Sequence, residues 1–186
     1  MRNGKRGNGR VEGSVWKGLV AGVAGGLVAS WVMDEFQALW IKLEESLEGS
    51  DGDGPEGGEE KSQGGGGEQE PATVKAAEAI SENVFEHELT KSEKEVAGPA
   101  VHYAMGGGSA AIYGVLAEFV PEVTAGAGVP FGTAVWLLAD EAAVPALGLS
   151  KGPTEYPLSK HVYALASHFV YGLATELVRS NVRRLL

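Results

Sequence analysis

The chain has 186 residues, no cysteine and a net charge of −10. One domain fits that length, and the missing cysteine excludes disulfides, thiolate metal sites and a cysteine nucleophile. Arginines gathered toward the two ends leave no basic face for nucleic acid, and the acidity is local, since residues 41–97 hold 16 acidic side chains against five lysines.

Residues 1–14 form a basic tail with Arg2, Lys5, Arg6 and Arg10. The apolar run that follows, 15–43, is too long for the h-region of a signal peptide and lacks a small-x-small cleavage site, so it reads as a retained first transmembrane helix. Gly18, Gly22 and Gly26 repeat every four residues along it. Small residues at that spacing let helices in lipid approach closely.

Residues 44–71 are acidic and Gly-rich, a composition that cannot bury a core and reads as a disordered linker. Residues 72–97 place Val74, Ala77, Ile80, Val84 and Leu89 at helical spacing, which predicts an amphipathic surface helix. Three further apolar segments, 98–120, 124–149 and 157–181, have about the length a helix needs to cross a bilayer. Gly106, Ala110 and Gly114 form a stripe in the second span, and Thr124, Gly128 and Gly132 one in the third. The expected fold is all-α: a polytopic membrane protein with four transmembrane helices in a bundle. The stripes also offer a surface for a homo-oligomer.

Trp31 before Asp34-Glu35 parallels Trp136 before Asp140-Glu141, and "IYGVLAEF" with Glu118 parallels "VYGLATEL" with Glu176. The chain therefore reads as two tandem helical hairpins of like orientation. Lys and Arg near span ends set topology. Both ends are basic, so both termini are expected in the cytoplasm and the acidic linker outside.

The segments "HYAMGGGSAAIYG", "FGTAVWLLADEAAVPALG" and "HVYALASHFVYGLATELVRSNVRR" resemble the YagU family of small bacterial inner-membrane proteins. The resemblance covers the last three spans, about half of the chain. It implies an inner-membrane location and an association with acid tolerance, but no substrate or catalytic residue. The long acidic linker departs from the compact family pattern.

Ionisable residues inside spans are costly and functional by default. In the expected orientation Asp34, Glu35, His102, Asp140, Glu141, His161 and His168 gather toward the outer side, while Glu118 and Glu176 lie toward the cytoplasm. Adjacent residues on a helix point about 100° apart, so one of Asp140 and Glu141 is expected inward and the other toward a neighbouring span. Pro145 cannot donate to the carbonyl of residue 141, which predicts a kink beside the pair.

A histidine titrates near neutral pH, so the leading expectation is a non-enzymatic protein that binds or relays protons. One alternative is a divalent-metal site of His102, His168 and Asp140, a donor set suited to Zn²⁺ or Mn²⁺. Another is a structural assembly module whose polar groups hold helices together. An enzyme is not expected, since Ser109, Ser167 and Thr175 show no triad and no nucleotide or GxSxG loop is present. No cofactor is implied, and the expected partner is the lipid bilayer.

Overall fold

A computed structural model describes residues 13–48 and 70–186. Most of the basic tail and of the acidic linker therefore lies outside the described residues. Every regular element among the described residues is helical. The first helix, α1 (Val15–Glu48), is long and apolar enough to cross a membrane by length and composition. It runs past the expected end at residue 43, so the first residues assigned to the linker are helical.

The expected surface helix 72–97 is two elements. Helix α2 (Ala72–Phe85) ends where Glu86 turns left-handed, at φ 52°. Helix α3 (Lys91–Phe119) then begins seven residues before Gly98. Its start is set by a capping box: Thr90 N–H donates to Glu93 Oε2 at 2.7 Å, and Glu93 N–H donates back to Thr90 Oγ1. Such reciprocal bonds satisfy the orphan donors of a helix start.

The expected third span is also reorganised. Pro121–Thr124 is a 3₁₀ turn, and Gly126, Ala127 and Gly128 all have positive φ. The helix begins only at α4 (Val129–Val135) and passes into a π-helix, Trp136–Ala143, then into the single turn α5 (Val144–Ala146). Thr124 is consequently outside the helix and outside the expected small-residue stripe. The last helix, α6 (Leu158–Leu185), matches the expected fourth span with a short extension at its C-terminal end.

Helix α1 packs on α3 and α6, α4 packs on α6, and α2 packs on α3. The α1–α3 seam is built of the expected glycines. A Cβ on Gly18 would meet the Gly114 carbonyl, one on Gly22 the Ala110 carbonyl, and one on Gly26 the Gly106 carbonyl. The α4–α6 seam repeats the device, with Gly128 against Gly172 and Gly132 against the His168 carbonyl. Backbones this close leave no room for side chains between the helices, which explains the demand for glycine at both seams.

The interior inverts the pattern of a water-soluble bundle. Among the described residues most buried side chains are small or polar: Ala21, Ala29, Ser30, Ala110, Ser167 and Thr175 are all fully covered, and the larger apolar side chains buried with them are Met33, Tyr113 and Tyr171. Large hydrocarbon side chains point outward, among them Ile112, Leu138 and Leu177, each 66% exposed. Aromatic rings fill the space that the seams leave, with Tyr113 stacked on Phe131 at 4.3 Å and Phe131 in turn against Tyr171.

Candidate functional site

The π-helix explains how two adjacent carboxylates serve one surface. Its bonds run from residue i to i+5, so a turn holds more residues and neighbours lie closer in angle than on an α-helix. Pro145, without an N–H, follows directly, and Val144 N–H reaches back to the Ala139 carbonyl. Asp140 and Glu141 accordingly both face α6, contrary to the expectation that they diverge, and the local distortion is a widened turn.

Each histidine of the long helices meets a carboxylate on another element. His161 Nδ1 lies 2.7 Å from Glu141 Oε1, and its Nε2 lies 2.9 Å from the Pro153 carbonyl. His168 Nδ1 lies 3.7 Å from Asp140 Oδ2. His102 Nε2 lies 3.2 Å from Asp34 Oδ1, and Tyr103 donates its hydroxyl proton to Asp34 Oδ2 at 2.9 Å. These three pairs share one end of the bundle, called here the Asp34 end. Glu35 is exposed on α1.

The His161 pair carries chemical information. A carbonyl oxygen only accepts, so Nε2 must bear a proton. Nδ1 then faces a carboxylate oxygen at hydrogen-bond distance, which also requires a proton between them. The proton sits on the ring, making an imidazolium–carboxylate pair, or on Glu141, which then donates to the ring. Both arrangements hold one proton more than a neutral imidazole beside an ionised carboxylate.

His168 is different. Its Nδ1 donates to the Ala164 carbonyl at 2.9 Å, so that proton is tied to the helix backbone and the Asp140 contact is looser. His102, His168 and Asp140 do not converge as the metal alternative requires. Among the described residues no three histidine or carboxylate side chains are arranged to hold a metal ion.

At the opposite end Glu118 and Glu176 each receive an arginine. Arg179 grips Glu176 with two bonds of 2.7 Å, and Tyr113 donates to the same carboxylate at 2.8 Å. Arg183 donates to both oxygens of Glu118, which also accepts from the Ser14 N–H at 2.9 Å. Bidentate arginine contacts are among the stronger charge-assisted bonds. They make this end charge-balanced.

The sequence reading missed Tyr103, Tyr113, Tyr171, Arg179 and Arg183 as partners. The arginines were counted only as topology signals. The spacing of Arg179 from Glu176 offered a cue, since residues three apart on a helix meet, whereas Arg183 pairs with Glu118 on another helix. His87 is an exposed side chain, 3.2 Å from Glu93.

A third polar cluster ties α2 to α3. Lys94 bridges Glu78 and Glu70, the latter at 2.9 Å. These two carboxylates push the Lys94 ammonium up to about 12. The Thr90 hydroxyl and backbone N–H hold the Glu93 carboxyl down at about 2.

A family model described as a protein of unknown function, DUF1440, matches residues 69–177, more than half of the chain. The match contains His102, Asp140, Glu141, His161 and His168, and Asp34 lies before it. No curated protein and no solved structure matches the chain.

Proposed function

We propose that this chain, which belongs to the DUF1440 family of proteins of unknown function, is a non-enzymatic, four-span membrane protein that binds protons at the Asp34 end of its bundle. The membrane reading is supported by the inverted interior. Glycine seams and buried hydroxyls suit helices packed in lipid, and the exposed leucines and valines suit an apolar solvent. Helices α1, α3 and α6, of 34, 29 and 28 residues, reach about 42–51 Å at 1.5 Å per residue, more than the roughly 30 Å of a bilayer core. Within this reading the resemblance to the YagU family supports an inner-membrane location and a role in acid tolerance. The basic ends favour cytoplasmic termini, which puts the Asp34 end outside. The shared seam chemistry of the α1–α3 and α4–α6 hairpins favours a tandem repeat.

The observation that carries the proton reading is His161 held between two acceptors, Glu141 and the Pro153 carbonyl. A histidine so placed keeps its geometry only while the pair retains its extra proton. Loss of that proton on alkalinisation breaks one bond and leaves Glu141 ionised at the end of the π-helix.

The test is a pH titration of the reconstituted full chain, followed by tryptophan fluorescence with Trp136 in the turn that carries Glu141. A transition between pH 8 and 5 is expected, the range in which histidines change charge. Glu141→Gln and His161→Gln should each remove most of its amplitude while the protein still inserts. An unchanged profile in both variants would remove the pair as a proton site.

A further inference from the structure

The connection between α5 and α6, residues 147–157, is braced from within. Pro153–Glu155 is a 3₁₀ turn, where Gly152 N–H donates to Glu155 Oε1 at 2.9 Å and Glu155 N–H donates back to the Gly152 carbonyl at 3.0 Å. Lys151 N–H donates to the Tyr156 hydroxyl oxygen at 3.3 Å, and Tyr156 N–H donates to the Pro153 carbonyl at 3.4 Å. The Ser150 hydroxyl donates to the Lys151 carbonyl at 3.1 Å. Among the described residues, the hydrogen bond that ties Ser150–Tyr156 to a helix runs from His161 Nε2 on α6 to the Pro153 carbonyl, at 2.9 Å. A segment stiff within and fastened at one point moves as a body when that point lets go. Gly148 supplies the pivot, left-handed at φ 72° with open space beside it.

The ring at that point has two acceptors to serve. As an imidazolium, His161 donates from Nδ1 to Glu141 and from Nε2 to Pro153, and both bonds hold. With the proton on Glu141 instead, the carboxyl donates to Nδ1 and both bonds hold again. Once that proton leaves, a neutral imidazole donates from one nitrogen only, and the two acceptors compete. A bond to an ionised carboxylate is roughly twice as strong as one between neutral groups, so the remaining proton goes to Nδ1, toward Glu141. Nε2 is then a bare acceptor facing the Pro153 carbonyl oxygen, and two acceptors repel. The carbonyl still has the Tyr156 N–H, so opening the contact does not strand it. Among the described residues, Glu141 is the charged group that faces the ring from the π-helix. Tyr156 meets it from the connection, with ring centroids 6.5 Å apart. Lys151, Glu155 and the neighbouring Lys160 are exposed.

We propose that residues 148–157 form a pH-operated strap at the Asp34 end, fastened to α6 in acid and released when the His161–Glu141 pair gives up its proton. It rests on the reading above that this pair binds a proton, and it names what that proton controls. One proton passes between the pair and the solvent, the His161–Pro153 hydrogen bond opens or closes, and nothing is oxidised. With the strap fastened, the Glu141 and His161 side chains are 16% and 23% exposed. As the pH rises the strap lifts, and the ionised Glu141 meets water. Proton occupancy at one histidine thereby becomes a change of shape at that end of the bundle.

The chain has no cysteine, so Thr154→Cys, at an exposed position of the strap, takes a single nitroxide spin label in the full chain reconstituted in bilayers. The mobile fraction of the label's spectrum should rise about threefold or more from pH 5 to pH 8, the range in which histidines change charge. Glu141→Gln gives the discriminating result. Its amide N–H donates to Nδ1, so the neutral ring keeps its proton on Nε2 and Pro153 stays bound. The label in that background should hold its acid spectrum at pH 8. His161→Ala removes the fastener and should leave the label mobile at both pH values. Trp136 fluorescence of the unlabelled chain reports proton binding separately. A label that ignores pH while the Trp136 transition persists would overturn the strap and leave proton binding standing. A label freed at pH 8 in Glu141→Gln, as in the wild-type background, would overturn it too. Loss of both responses would overturn both readings.

Discussion

Tyr103 shows what a single hydroxyl does in this site. Its bond to Asp34 leaves the other carboxylate oxygen for His102, so Tyr103→Phe loosens the pair without removing a charge. The clearest residue-level test lies outside the apolar segments, at Glu93. Its carboxyl is held at about 2 against an ordinary 4.5, by the Thr90 hydroxyl and then the Thr90 backbone N–H. A depressed value in the folded state means stabilisation that is complete above about 4.5 and is lost as the pH falls through about 2. Thr90→Ala should raise the Glu93 midpoint, read by carboxyl ¹³C chemical shift, toward 4.5. Loss of the cap should also cost about 1 kcal/mol in the stability of that helix start. A wild-type midpoint already at 4.5 would show that the capping box does not form.

Among the elements, the two glycine seams decide how the helices meet. Gly22 faces the Ala110 carbonyl and Gly132 the His168 carbonyl, both backbone atoms that cannot step aside, whereas Gly108 on α3 has open space beside it. Gly22→Leu and Gly132→Leu should each destabilise the bundle by about 1–3 kcal/mol or more through overpacking. Gly108→Leu should be tolerated. Equal stability of all three in a detergent unfolding titration would contradict the seams. These seams were legible in the sequence because a four-residue repeat of small residues has one physical use in lipid. The interruptions were not. Gly128 continues the same repeat and packs in a seam, but with Gly126 it also forms a left-handed turn, and composition does not distinguish the two uses. The Thr90-x-x-Glu93 cap could have been read, but the charged run around it resembles a continuous surface helix. The π-helix has no sequence signature beyond Pro145, so the shared direction of Asp140 and Glu141 came only from the structure. The gathering of histidines and carboxylates at one end followed from span order alone, but their pairing depended on rotation about each helix axis.

At the scale of the whole molecule, one end carries histidine–carboxylate pairs and the other an arginine–glutamate clasp, on either side of a glycine-packed interior. Every functional reading depends on hydrocarbon surrounding that interior. The absence of cysteine in the natural chain makes an introduced one a unique label. Ile112 on α3, Leu138 on the π-helix and Leu177 on α6 are exposed on the outside of the bundle. Spin labels at these three positions in reconstituted bilayers measure their surroundings through collisions with dissolved oxygen, which prefers lipid, and with a water-soluble nickel chelate. The account requires higher oxygen than nickel accessibility at all three, with a label at exposed His87 showing the reverse. Nickel accessibility at Ile112, Leu138 and Leu177 as high as at His87 would contradict it, since the outward hydrocarbon would then face water and the bundle would not span a membrane.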